Sequence, residues 1–139
     1  MRHALVMPLV DLVDDTFVVA APRTLAGIVA DPVRWARWWP ELMLTTTWDR
    51  GDQGRQWSVA GRYVGSAEIW LEQHRDGTIV HLYLRLDPAG GCWSPRQAER
   101  VRDRLARRWK REVTALKDAL EVGRVPGPVK PTEVPAEPG

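Results

Sequence analysis

The dipeptide Asp76-Gly77 sits between two runs of alternating apolar and polar residues, and it constrains the chain more than any other feature. Asp-Gly favours a two-residue type I′ turn, whose central positions both need positive φ. With these residues as the loop, Arg75 faces Thr78, and the next opposed pairs are His74 with Ile79, Gln73 with Val80, Glu72 with His81, Leu71 with Leu82, Trp70 with Tyr83, Ile69 with Leu84 and Glu68 with Arg85. The two faces separate by chemistry. One carries Ile69, Leu71, Val80, Leu82, Leu84 and Leu86, and the other carries the Glu-Arg, Trp-Tyr and Glu-His pairs. A sheet with such an apolar face needs another element to cover it.

The cover lies downstream. Ser94 is placed to cap a helix, Pro95 fits its first position, and Gln97 completes a capping box, with Gly123 as the stop. Ala98, Val101, Leu105, Trp109, Val113, Leu116 and Leu120 recur at three- and four-residue steps. They form one apolar stripe on a helix roughly 40 Å long at ~1.5 Å per residue. Upstream, Thr16 to Ala21 reads as a short strand ended by Pro22, residues 23–30 as a short helix halted by Asp31-Pro32, and Val33 to Trp39 as a second one. Leu42 to Trp48 and Arg55 to Ala60 read as two further strands joined by the turn residues 50–54. The expected architecture is α+β: a curved antiparallel sheet against a long C-terminal helix, with two short helices after the first strand. Residues 11–122 form the expected domain, preceded by an N-terminal extension, 1–10, and followed by a disordered Pro-rich tail, 123–139.

This order of elements, together with the segment AAPRTLAGIVADPVRWARWWP from Ala20 to Pro40, resembles the START-like superfamily of polyketide cyclases and dehydrases, coenzyme-Q-binding proteins and lipid-transfer domains. Ala21-Pro22 closes the first strand, and Leu25, Ile28 and Val29 form the apolar side of the first short helix. Asp31-Pro32 separates the helices, while Trp35, Trp38, Trp39 and Pro40 end the second. The resemblance implies a helix-grip fold, a sheet wrapped round the terminal helix with a hydrophobic cavity between them. The family usually has more strands than the five or so legible here, which implies a cavity that is smaller or open at one end.

Composition narrows the function classes. Eight of the eleven aromatic residues are Trp, too much indole for a 139-residue chain to leave in water, so most must line a core or a cavity. The apolar run Ala4 to Val13 is broken by Pro8 and Asp11 and lacks a cleavage pattern, so a cytoplasmic location is expected. Cys92 is the only cysteine, which excludes an intramolecular disulfide and a multi-cysteine zinc site. With no paired cysteines and no H-E-x-x-H pattern, neither a metal nor another cofactor is expected. A nucleophile elbow, a P-loop and a dinucleotide fingerprint are also absent from the sequence.

The expected function is binding of a hydrophobic small molecule, such as a lipid, polyketide or isoprenoid-like compound, between sheet and terminal helix. The expected lining is Trp57, Val59, Ile69, Leu71, Leu82, Leu84, Leu105, Trp109 and Val113, with Trp57 and Trp109 as its flat walls and Trp35, Trp38 and Trp39 anchoring the short helices. The alternative is a cyclase, aromatase or dehydratase using the same cavity, with His81 and Glu72 as the acid-base pair if their face turns inward. A third class follows from residues 96–111, where eight Arg or Lys stand against Glu99 and Asp103 although the whole chain carries only +2. Arg100, Arg104, Arg107, Arg108 and Arg111 suit transient contact with an anionic membrane surface. Pairing of Glu99 with Arg102, Asp103 with Arg107 and Arg108 with Glu112 would make the same face an ordinary solvated one and disfavours nucleic acid. No feature of the sequence specifies an oligomeric state.

Overall fold

The structure, a computed structural model, describes residues 8–121. Strand β1 (Val10–Val18) is followed by helices α1 (Pro22–Val29) and α2 (Pro32–Trp38), then by β2 (Met43–Asp49), a single 3-10 turn (Gly51–Gln53), β3 (Gly54–Ala60), β4 (Tyr63–His74), β5 (Gly77–Pro88) and helix α3 (Pro95–Glu121). The five strands form one antiparallel sheet in the order β1-β5-β4-β3-β2, giving the expected α+β helix-grip arrangement. The Pro-rich tail and most of the N-terminal extension lie outside the described residues, as does the proposed stop at Gly123. No helix among the described residues is long and apolar enough to cross a membrane.

Two expectations are corrected. The first strand is not Thr16 to Ala21 but Val10–Val18, paired with β5 from Val10 opposite Leu86 to Val18 opposite Thr78. Val10, Leu12 and Val18 face the core, and Asp14 breaks the apolar alternation that would have revealed the strand. The hairpin loop is Arg75-Asp76, so Trp70 faces His81 and Glu68 faces Tyr83, a register shifted by two residues. Gly77 is already in the strand. A Cβ there would run into the Val18 carbonyl and the Phe17 ring, so glycine is needed for the close crossing of β1 rather than for the turn. Arg75 takes the left-handed conformation instead, at φ 56°. Since strand side chains alternate with a period of two, the shift leaves every residue on its expected face.

The apolar face is therefore the inner one. Ile69, Leu71, Val80, Leu82, Leu84 and Leu86 share one buried cluster with Val101, Leu105, Trp109, Val113 and Leu116 of α3. The helix begins as its sequence requires: the Gln97 backbone N–H donates to Ser94 Oγ at 3.1 Å, and the Ser94 N–H donates to Gln97 Oε1 at 2.8 Å. Its far end is tied to β1, where the Val19 N–H donates to Glu121 Oε2 at 2.8 Å and Lys117 Nζ donates to the Phe17 carbonyl at 2.9 Å.

Candidate functional site

All nine expected lining residues are buried, none more than 5% exposed, and all belong to the cluster between sheet and α3. What the sequence did not place among them is Trp39. α2 opens on an Asp31 cap, its carboxylate accepting from the Val33 N–H, and ends after Trp38, leaving Trp39 just past the last turn. From there the Trp39 ring reaches both expected walls, stacking on Trp109 at 5.5 Å and meeting Trp57 edge-on at 5.9 Å. Trp38 packs its edge on Trp109, and Trp35 packs on Trp57. Five indoles, from α2 and the residue after it, β3 and α3, thus form one continuous cluster on the inner face of the sheet, edge to face except for the stacked Trp39–Trp109 pair, with Trp39 as its middle member.

Their N–H groups divide sharply. Trp35 Nε1 donates to the Val29 carbonyl at 2.6 Å, and Trp109 Nε1 donates to Asp14 Oδ2 at 3.0 Å. Trp39 Nε1 and Trp57 Nε1 are buried without a hydrogen-bond partner among the described residues. A buried donor without an acceptor costs about 1–3 kcal/mol, so two in contacting rings mark the place where this core is least satisfied. Asp14 shows the opposite case. Its carboxylate, inward on β1, also accepts from Thr16 Oγ1 at 3.0 Å and pairs with Lys110 Nζ at 2.8 Å.

A second polar group closes the α2 end of the core. Arg104 Nη2 donates to Glu41 Oε2 at 3.0 Å and to Tyr63 Oη at 2.7 Å, and Tyr63 Oη donates to Glu41 at 3.1 Å. Burial, and then the neighbouring Glu41 charge, raise the Tyr63 phenol above its ordinary value, while the hydrogen bond to Glu41 raises the Arg104 guanidinium further. The long sequence separations of Glu41, Tyr63 and Arg104 hide this clamp from any local pattern. Arg108 is also committed internally, donating twice to the Arg37 carbonyl. The expected pairs along α3 are replaced: Glu112 faces Arg37, and Asp103 faces Arg102. Arg100, Arg107 and Arg111 have no ion-pair partner among the described residues.

The catalytic candidates stand on the outer face of the sheet, away from the indole stack. His81 Nδ1 lies 2.7 Å from Asp15 Oδ1, and its Nε2 lies 2.8 Å from Glu72 Oε1. Both ring nitrogens face carboxylates and the ring stacks on Trp70 at 4.5 Å, so a substrate proton meets no open nitrogen. The pair Glu72–His81 expected from the sequence does form, but as a diagonal contact rather than as directly opposed residues. Cys92 is exposed. Among the described residues no group of three His, Cys, Asp or Glu side chains is arranged to hold a metal ion.

No protein-family model matches the sequence, and no curated protein matches it. Solved structures do. The crystal structure of DR_A0006 from Deinococcus radiodurans is 12% identical, with a TM-score of 0.61 over 81% of this chain and 98% of that one. The solution structure of the Aha1 dimer from Colwellia psychrerythraea is 15% identical, with a TM-score of 0.57 over 83% of this chain and 98% of that one. The likeness is one of fold.

Proposed function

We propose that the protein binds a hydrophobic small molecule between the sheet and α3, in space made when the Trp39 indole moves from between Trp57 and Trp109. The observation that carries this reading is the pair of buried, unpartnered donors, Trp39 Nε1 and Trp57 Nε1. An apolar ligand with one acceptor oxygen, such as the carbonyl or ester of a polyketide, isoprenoid quinone or lipid, would satisfy a donor that the packed core leaves unpaired while its carbon skeleton lies on indole faces. The START-like resemblance of Ala20 to Pro40, which implies a hydrophobic cavity between sheet and terminal helix, supports the same location. Loading at an anionic membrane surface belongs to this reading, through Arg100, Arg107 and Arg111 of α3, which have no ion-pair partner among the described residues.

The experiment is a titration of lipids, isoprenoid quinones and aromatic polyketides followed by indole emission, with Trp57→Phe alongside. Saturable quenching is expected for ligands bearing an acceptor, and Trp57→Phe weakens them about fivefold to tenfold, the scale of one net hydrogen bond. It leaves pure hydrocarbons unaffected. Absence of any response across the panel, with the far-UV spectrum of the folded chain intact, rules the reading out.

A further inference from the structure

The outer face of the sheet is mostly covered by cross-strand partners, as with Asp15, His81 and Glu72. Between β3, β4, β5 and the turn after β2, however, it opens into a cleft of about 380 Å3 walled by Arg50, Gln56, Ser66, Glu68, Tyr83 and Arg85. That volume lies near the lower end of small-molecule sites, ~300–1,000 Å3. Among its lining side chains two guanidinium groups meet one carboxylate, and the second guanidinium, Arg85, is paired only from outside the cleft, by Asp11. Arg50 is held firmly: its Nη1 donates to Glu68 Oε2 at 2.7 Å, and its guanidinium lies 4.7 Å over the Trp48 ring. Its Nε is buried with no hydrogen-bond partner among the described residues. Arg85 has only Asp11, at 3.7 Å, beyond hydrogen-bond distance. The side chains of Gln56 and Ser66 and the hydroxyl of Tyr83 likewise have no hydrogen-bond partner among the described residues.

The walls are also flat. Trp70, which borders the cleft, and Tyr83 lie nearly parallel to the His81 ring, at 18° and 13°. We infer that this cleft is a second ligand site and takes a small planar aromatic carboxylate. A carboxylate gives Arg85 the hydrogen-bond acceptor that Asp11, at 3.7 Å, does not supply, and it adds one negative charge beside Glu68 where sulfate adds two. The amide and hydroxyl groups supply further bonds to the carboxylate oxygens, and a planar ring extends the aromatic surface where a puckered one would not. The site is on the face opposite the indole stack, so the inference stands without the core binding proposed above.

Benzoate titrated into the full chain, with amide chemical shifts as the readout, tests this directly. Saturable shifts are expected at Gln56, Ser66, Glu68 and Tyr83, with cyclohexanecarboxylate binding more weakly and inorganic sulfate not competing. Arg85→Gln, at an exposed position, weakens benzoate about tenfold, the scale of a charge-assisted hydrogen bond. Glu68→Gln tightens it by removing the competing carboxylate and freeing Arg50 Nη1. The inference is overturned by absence of saturable binding at millimolar benzoate, by equal affinity in Arg85→Gln and Arg50→Gln, by equal affinity for the puckered acid, or by shifts centred on Trp39 and Trp57.

Discussion

On β4 and β5, neighbouring residues serve opposite environments. Ile69, Leu71, Leu82 and Leu84 are sealed against α3, while Glu68, Trp70, Glu72, His81 and Tyr83 stand on the outer side of the same two strands. The inner face holds few polar atoms, and each is decisive: Asp14 gathers three donors, and two indole N–H groups have no acceptor among the described residues. The outer face holds many polar atoms that water can replace. Polar chemistry is therefore consequential where it is scarce, and a ligand that brings an acceptor gains most on the inner side.

The sharpest way to break this contrast is at Trp109. Trp109→Ala removes a buried indole, opens a void beside Trp38 and Trp39 and leaves Asp14 short of a donor, so urea unfolding should show a loss of about 3–5 kcal/mol. A loss below about 1 kcal/mol would mean that the stack is not the core. Asp14→Ala comes next, because it strands Trp109 Nε1 and Lys110. It should cost about 1–3 kcal/mol by the same measurement, and a neutral result would remove Asp14 from the inner-face account.

Tyr63 gives a pH test of intermediate size. Its raised phenol keeps its proton in the folded chain where the unfolded chain releases it. Its contribution is complete below pH 10.0 and is lost as pH rises through the higher folded value. The stability of the wild-type chain relative to Tyr63→Phe should narrow above pH 10.0, and a constant difference would contradict the shift. The smallest effect is expected on the outer face. His81→Ala should change unfolding by less than about 1 kcal/mol, since Asp15 and Glu72 are both exposed enough to be solvated alone. A larger loss would make the two faces energetically alike.

Much of this layout was legible because it depends on period and local chemistry. The Ser94–Gln97 box and the stripe from Ala98 to Leu116 fix α3, and the sorted faces of β4 and β5 survive a two-residue register error because two is the strand period. Gly77 points to the wrong turn because glycine serves both left-handed turns and close backbone crossings, and only the position of β1 distinguishes them. Asp14 hides β1 in the sequence, since two of the three donors to this inward carboxylate, Trp109 and Lys110, come from a helix more than ninety residues away. The reach of Trp39 into the core depends on where α2 stops, and the Glu41–Tyr63–Arg104 clamp depends on separate parts of the chain meeting, so neither shows in a local pattern.

The way α3 is fastened determines how the interior can be reached. Arg104 ties its first half to Glu41 and Tyr63, while Lys117 and Glu121 tie its last turn to the end of β1. A beam pinned near both ends resists swinging, so the proposed binding would not proceed by lifting the helix. In the binding proposed above, access would fall to the short segment of α2 and Trp39, where Trp38 and Trp39 pack against Trp109 of that beam. Amide hydrogen exchange would accordingly find α2, whose polar ties to α3 among the described residues are Arg108 and Glu112 at Arg37, opening more often than the middle of α3.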